Sequence, residues 1–272
     1  MEFKINGFCA SQEASSDTMP AYEPRQQSIV PRRSLAQVQF PGSARVLTYY
    51  NDQFDLKQGD RVYVDGTQEG ILGRVVEINY NFKIRVSDYK KVIAVVDTQV
   101  SGQLHFAGSH FVTFDPAVLP AQKIRLWFCP PEKEDEEIVS SSDDTAFPLN
   151  DLARTNISSA IAERGHNYYL DNKVCYLCLN GSNGFAIVEG TQPYTVEFLY
   201  ENGDIRQLIC DCPCACTCKH ELATMLQLRE TLEFIEKHYR SAYHAAGYFA
   251  AMTKSTLFSF AIDGRETGSF TL

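Results

Sequence analysis

The chain has 272 residues, 44% hydrophobic and 22% charged, with 25 Lys and Arg against 34 Asp and Glu. That apolar content excludes whole-chain disorder, and the length allows one large domain or two small ones. The net charge of −9 weakens the electrostatic case for nucleic-acid binding, and no apolar run approaches the ~18–20 residues that span a bilayer. The opening MEFKINGFCASQEASSD lacks the apolar core of a secretory signal, so a soluble, intracellular, cytoplasmic protein with no membrane partner is expected.

Residues 1–35 read as a mobile N-terminal arm, because 10–35 are rich in Ser, Pro, Gln and charge and carry no apolar period. Residues 36–129 read as a β-rich domain. ARVLTYY, DRVYVDG, ILGRVVEIN, KIRVSDY, KVIAVVDT and HFVTF are short, rich in Val, Ile, Tyr and Phe, and separated by Gly-containing turns. Val62 and Val64 alternate with Arg61 and Tyr63, the period of a strand with one buried face. The stretch GDRVYVDGTQEGILGRVVEI resembles the opening of small SH3-like barrels, which implies a barrel-like architecture and no specific ligand. Residues 130–150 hold one Lys against seven Asp and Glu behind two prolines, the composition of an extended acidic linker.

From residue 151 the pattern predicts a second, α+β domain reaching to 272. Asn150 is placed to cap a helix over about 151–164, with Gly165 as its stop. KVCYLCLN, GFAIVEG, YTVEFLY and DIRQLIC follow as four strands, the last two joined by Asn202-Gly203, a strong tight-turn signal. Leu222, Met225, Leu226, Leu228, Leu232, Ile235 and Tyr239 then form one apolar stripe on a helix starting near Lys219. The tail STLFSFAIDGRETGSFTL reads as a final hairpin around Asp263-Gly264.

Nine cysteines are present, and five of them fall between Cys210 and Cys218. In a reducing compartment such clustering points to metal chemistry before disulfides. Zinc favours four tetrahedral ligands. Cys210-x-Cys212 at a strand end projects both thiols to one face, and Cys218-x-His220 at a helix entry brings two more ligands from the other side. One structural Zn(2+) on Cys210, Cys212, Cys218 and His220 is therefore expected, and the free nitrogen of His220 needs a hydrogen-bond acceptor. Three readings are open for Cys214 and Cys216: unligated thiols, replacements for Cys212 or Cys218, or ligands to a second or softer ion such as Cu(I). Cys175 and Cys178, three apart on a strand, point to opposite faces and read as ordinary buried thiols.

The Cys-x-Cys, gap, Cys-x-His order resembles the SWIM-type zinc finger. The match extends over about residues 151–235, through a leading helix, three or four strands, a Gly190-x-x-x-Tyr194 element and CKHELA opening an apolar helix. The resemblance implies a zinc module that binds DNA or protein, as in transposase-like proteins, chromatin-associated helicases and ubiquitin-pathway proteins.

Catalysis is not expected. There is no Walker-type phosphate loop and no Gly-x-Ser-x-Gly elbow, and none of the six histidines has Glu two residues later. Four protein ligands also leave a zinc ion no open position for water, which argues against a zinc-dependent enzyme. Two non-enzymatic functions remain. One is an adaptor or scaffold acting on a protein partner, favoured by the five basic and seven acidic residues of 200–240. The other is a DNA- or RNA-binding module of a transposon, phage or chromatin-type process, with Arg206, Lys219 and Arg229 as phosphate contacts.

Overall fold

The computed structural model describes residues 4–6, 31–132, 141, 145–152, 157–214, 216–262 and 269–271. For 4–6, 262 and 269–271 it describes the backbone alone. Most of the N-terminal arm and of the acidic run in 133–144 lies outside these residues. The chain divides into two units, one holding 15–99 and 122–137, the other holding 1–14, 100–121 and 138–272. Both are built on antiparallel sheets, with helices beside them.

The smaller unit is a five-stranded sheet of β2 (Ser34–Gln39), β3 (Val46–Asn51), β4 (Arg61–Val64), β5 (Gly73–Asn79) and β6 (Val92–Val96), in the order β3-β2-β5-β4-β6. Ser34 and Leu35, expected in the mobile arm, are thus strand residues. Ala36, Val38, Tyr49, Leu56, Val62, Val64, Val75 and Val92 form its core. The expected barrel is not closed. Its edge strand β3 is tied to the chain just before β6 by an isolated bridge, Tyr50 to Lys91, and β3 ends at Asn51. The Asn51 carboxamide accepts from Phe54 N at 3.0 Å and donates to Phe54 O at 2.7 Å, the side-chain turn that Asn favours. Tyr63 corrects the one-face reading of β4, for it is as buried as Val62 and Val64. Helix α1 (Ala121–Phe128) lies in the same unit, and Trp127 Nε1 donates to Asp97 O at 2.8 Å.

The larger unit holds an eight-stranded sheet in the order β7-β8-β14-β10-β11-β12-β13-β9. Its strands are β7 (His105–Ala107), β8 (His110–Thr113), β9 (Phe147–Pro148), β10 (Val174–Asn180), β11 (Asn183–Glu189), β12 (Pro193–Glu201), β13 (Asp204–Cys210) and β14 (Tyr248–Thr253). Strands β7 and β8 come from the stretch assigned by composition to the N-terminal β domain, and β9 from the acidic linker. Both assignments give way to non-local pairing. Thr113 pairs with Ala250, and Phe147 pairs with Ile205.

Helix α2 (Ser159–Leu170) begins later than expected, with Ser158 Oγ accepting from Ile161 N at 3.4 Å. Asn150 instead follows the buried Leu149, whose N–H donates to Gly203 O at 2.9 Å. Gly165 lies inside the helix and does not stop it. A Cβ there would come within 2.8 Å of Leu222 Cβ, so glycine is what lets α2 approach α3 (Lys219–His238). The helix ends five residues on, where Asn172 takes φ 54°, a left-handed cap. The apolar stripe of α3 is buried as expected at Leu222, Met225, Leu228 and Ile235. Thr224, Gln227 and Thr231 are buried too, because α3 touches α2 as well as the sheet.

After α4 (Arg240–Ala246) and β14, the expected terminal hairpin is replaced by helical turns, α5 (Lys254–Leu257) continuing to Ile262. Thr253 caps them, its hydroxyl accepting from Thr256 N. Asp263 and Gly264 lie outside the described residues. The strand β15 (Ser269–Thr271) pairs with β1 (Lys4–Asn6), Phe270 opposite Ile5.

Candidate metal centre

Strand β13 supplies the first ligand through an irregularity. Against β12, Glu197 faces Ile209 but Leu199 faces Arg206, so β13 holds one extra residue. Gln207 sits in that bulge at φ 48°, a conformation that costs a non-glycine residue of order 1 kcal/mol. A regular strand would put residues 205 and 210 on opposite faces. With the bulge, Ile205, Leu208 and Cys210 all turn to the core beneath α3. The next residue, Asp211, is fixed by two bonds from Thr195: its carboxylate accepts from Thr195 N at 2.9 Å and Thr195 Oγ1 at 2.7 Å. That anchor carries the chain past the strand end and turns Cys212 inward.

The start of α3 supplies the other two ligands. Cys218 is its N-cap, with Sγ accepting from Glu221 N at 3.5 Å. The Glu221 carboxylate in turn accepts from Cys218 N at 2.7 Å and also receives the N–H of Cys210. This capping box therefore ties the strand-end ligand to the helix ligand. His220 follows in the first turn and is only 3% exposed.

The four side chains converge. One ligand atom from each of Cys210, Cys212, Cys218 and His220 lies within 4.8 Å of every other. His220 Nδ1 is 3.7 Å from both Cys210 Sγ and Cys218 Sγ. Tetrahedral bonds of ~2.3 Å to sulfur and ~2.0–2.1 Å to nitrogen require sulfur–nitrogen separations of about 3.6 Å. This Cys3His group could hold a metal ion, and Nδ1 is the nitrogen presented to it.

The expected acceptor for the second ring nitrogen is missing, because Nε2 is buried without a hydrogen-bond partner among the described residues. The ring is oriented by aromatics instead. Tyr194 stacks on it at 4.4 Å between centroids, and Tyr168 meets it edge-on at 5.5 Å. Gly190 makes the first contact possible, since a Cβ there would come within 2.8 Å of Tyr194 Cε2.

Without metal, the sulfurs divide one proton balance unequally. Hydrogen bonding with Cys210 lowers the Cys218 thiol to about 4, helped by His220 and the backbone N–H of Glu221. The same bond raises Cys210 far above its ordinary value, and burial raises Cys212 to about 11. The direction at Cys218 is the one expected of a thiolate at a helix N-terminus. Burial, then the Cys218 charge, pushes Glu221 up to about 7.

Cys214 and Cys216 are exposed and are not among the converging four. Cys175 and Cys178 are buried on β10, with Cys178 raised by burial to about 11. The three basic candidates are not brought together by any shared contact. Arg206 is exposed on β13, Lys219 holds its ammonium 4.3 Å over the Tyr168 ring, and Arg229 lies ten residues further along α3 beside Tyr169. No helix among the described residues is long and apolar enough to cross a membrane. No family model matches the chain, and neither a curated protein nor a solved structure does.

Proposed function

We propose that this chain is a non-enzymatic adaptor or scaffold whose larger unit is organised by one structural Zn(2+) on Cys210, Cys212, Cys218 and His220. The observation that carries this reading is the convergence of three sulfurs and one imidazole nitrogen within 4.8 Å, mostly buried. A three-sulfur, one-nitrogen set suits zinc among the common metals, and a closed shell gives the ion structure to hold and no water to activate. Its position between the end of β13 and the start of α3, with Tyr194 and Tyr168 against His220, agrees with the SWIM-type resemblance.

A protein partner is favoured over nucleic acid. Lys219 is engaged with Tyr168, the other two basic candidates stand apart from it, and acidic residues outnumber basic ones. Nucleic-acid binding driven by phosphate contacts falls steeply with salt. A mobility-shift titration with DNA and RNA at low salt should therefore give no shift, and a salt-steep shift would favour the nucleic-acid alternative.

The metal is tested by elemental analysis of the purified protein, which should hold one zinc per chain. Cys210→Ser and His220→Ala should abolish it and unfold the larger unit, because structural zinc contributes on the order of 10–16 kcal/mol, as much as a whole domain's stability. Zinc kept after loss of His220, or no zinc in the unaltered protein, would overturn the assignment.

A further inference from the structure

The loop between the two ligand pairs places two more thiols beside the site than the site uses. Cys214 stands two residues beyond Cys212, and Cys216 two residues before Cys218. Both are exposed, whereas Cys212 and Cys218 are buried. The chain from 211 to 214 and from 216 to 218 follows neither helix nor strand, so no ladder fixes these side chains in place. Around His220 and the helix start the ligands are packed by their neighbours. Tyr194 covers one face of His220, Tyr168 meets its edge, and the capping box of Glu221 closes the helix side. An ion held this way leaves slowly unless an incoming ligand meets it partway. Among the described cysteines, Cys175 and Cys178 are buried in β10 and Cys129 belongs to the other unit. Cys210 is half-buried, and Cys214 and Cys216 are the exposed thiols among the described cysteines.

We propose that Cys214 and Cys216 are a metal-exchange port, a thiol pair that takes a thiophilic divalent ion from solution and passes it to and from the Cys3His group. The inference rests on the zinc-site reading above. Each transfer is a ligand exchange with no change of oxidation state. The bond from metal to Cys212 sulfur breaks as a bond to Cys214 sulfur forms, and the Cys214 proton passes through water to the released Cys212 sulfur. The mirror exchange links Cys218 and Cys216. Thiolate softness makes such intermediates accessible to zinc, and more so to cadmium.

The test is isotope exchange on the full chain. Protein loaded with natural zinc is mixed with isotopically enriched zinc at several free concentrations, and the mass of the intact holoprotein is followed over time. In the unaltered protein the exchange rate should rise with free zinc, because capture of the incoming ion takes part in the slow step. In the Cys214→Ser/Cys216→Ser double variant, zinc content and melting temperature should be unchanged. Its exchange should be severalfold slower and independent of free zinc. Zinc-loaded protein alkylated at the exposed thiols should behave likewise, which removes any dependence on how the variant folds. Unchanged rate and concentration dependence would overturn the port, and so would loss of zinc from the double variant, which would make these residues ligands. An unaltered protein without zinc would overturn the site reading itself.

Discussion

The sulfur of Cys218 caps α3 and faces the other three ligand atoms, so the residue that starts the helix also positions the metal group. This double use was legible in the spacing, since Cys-x-His at a helix entry leaves the first residue at the cap. The environment of His220 was not. Sequence offers no sign that Nε2 lacks an acceptor while two tyrosines hold the ring, because stacking depends on where β12 and α2 carry Tyr194 and Tyr168. A second histidine carries a residue-level prediction. His110 is buried at the start of β8, its Nε2 3.2 Å from Val174 O and its Nδ1 3.0 Å from Ser109 Oγ. Burial lowers its pKa below the ordinary value, with Lys254 adding to the shift, while the Val174 bond and Glu230 oppose it. The folded chain therefore keeps this imidazole neutral where the unfolded chain would take up a proton. Its contribution is complete above the unfolded pKa of about 6.5 and is lost as the pH falls below it. Melting curves between pH 7.5 and 5, a window on the order of that pKa, should drop faster for the unaltered protein than for His110→Gln, by up to about 1.4 kcal/mol per pH unit. Parallel profiles would mean that His110 does not titrate differently in the fold.

At the scale of elements, the four strands of 174–210 and the long helix were readable, since Asn180-Gly181 and Asn202-Gly203 punctuate them and the apolar spacing of α3 is regular. Gly165 was readable only as a stop. Its real task, a close approach to Leu222, is invisible until the partner helix is known. The bulge at Gln207 was equally hidden, because strand parity from Ile205 turns Cys210 away from the core. It yields a sharp expectation. Deleting Gln207 should restore a regular β12–β13 ladder in which Ile205 and Cys210, now four residues apart, still share the core face, so the purified variant should keep its metal. Gln207→Gly should keep the metal and gain up to about 1 kcal/mol in thermal melting, since glycine takes positive φ without strain. Loss of zinc from the deletion variant would show that Gln207 does more than correct the parity between Ile205 and Cys210.

For the whole molecule, composition located an acidic boundary near 130–150 but not the way the chain crosses it. Strand pairing between distant segments leaves no local signature, so β7 and β8 looked like members of the domain that precedes them. The consequence is testable by limited proteolysis. A cut between residues 133 and 144 should give two fragments that stay together on size exclusion, because β8 of one fragment is hydrogen-bonded to β14 of the other. They should part only in denaturant. Two folded pieces that separate in plain buffer would instead support a boundary at the linker itself.

The pairing of Val112 with Ala251 also has a consequence in time. A growing chain emerges at ~5–20 residues per second, so β8 waits on the order of ten seconds before β14 exists. Through that interval β7 already lies beside β8, Phe106 opposite Phe111, but the edge of β8 that β14 will cover stays open. An open apolar edge is a template for the wrong partner, including the same strand on a neighbouring nascent chain. Slower synthesis of the segment between the two strands should thus lower the soluble yield, and a chaperone that shields β8 should restore it.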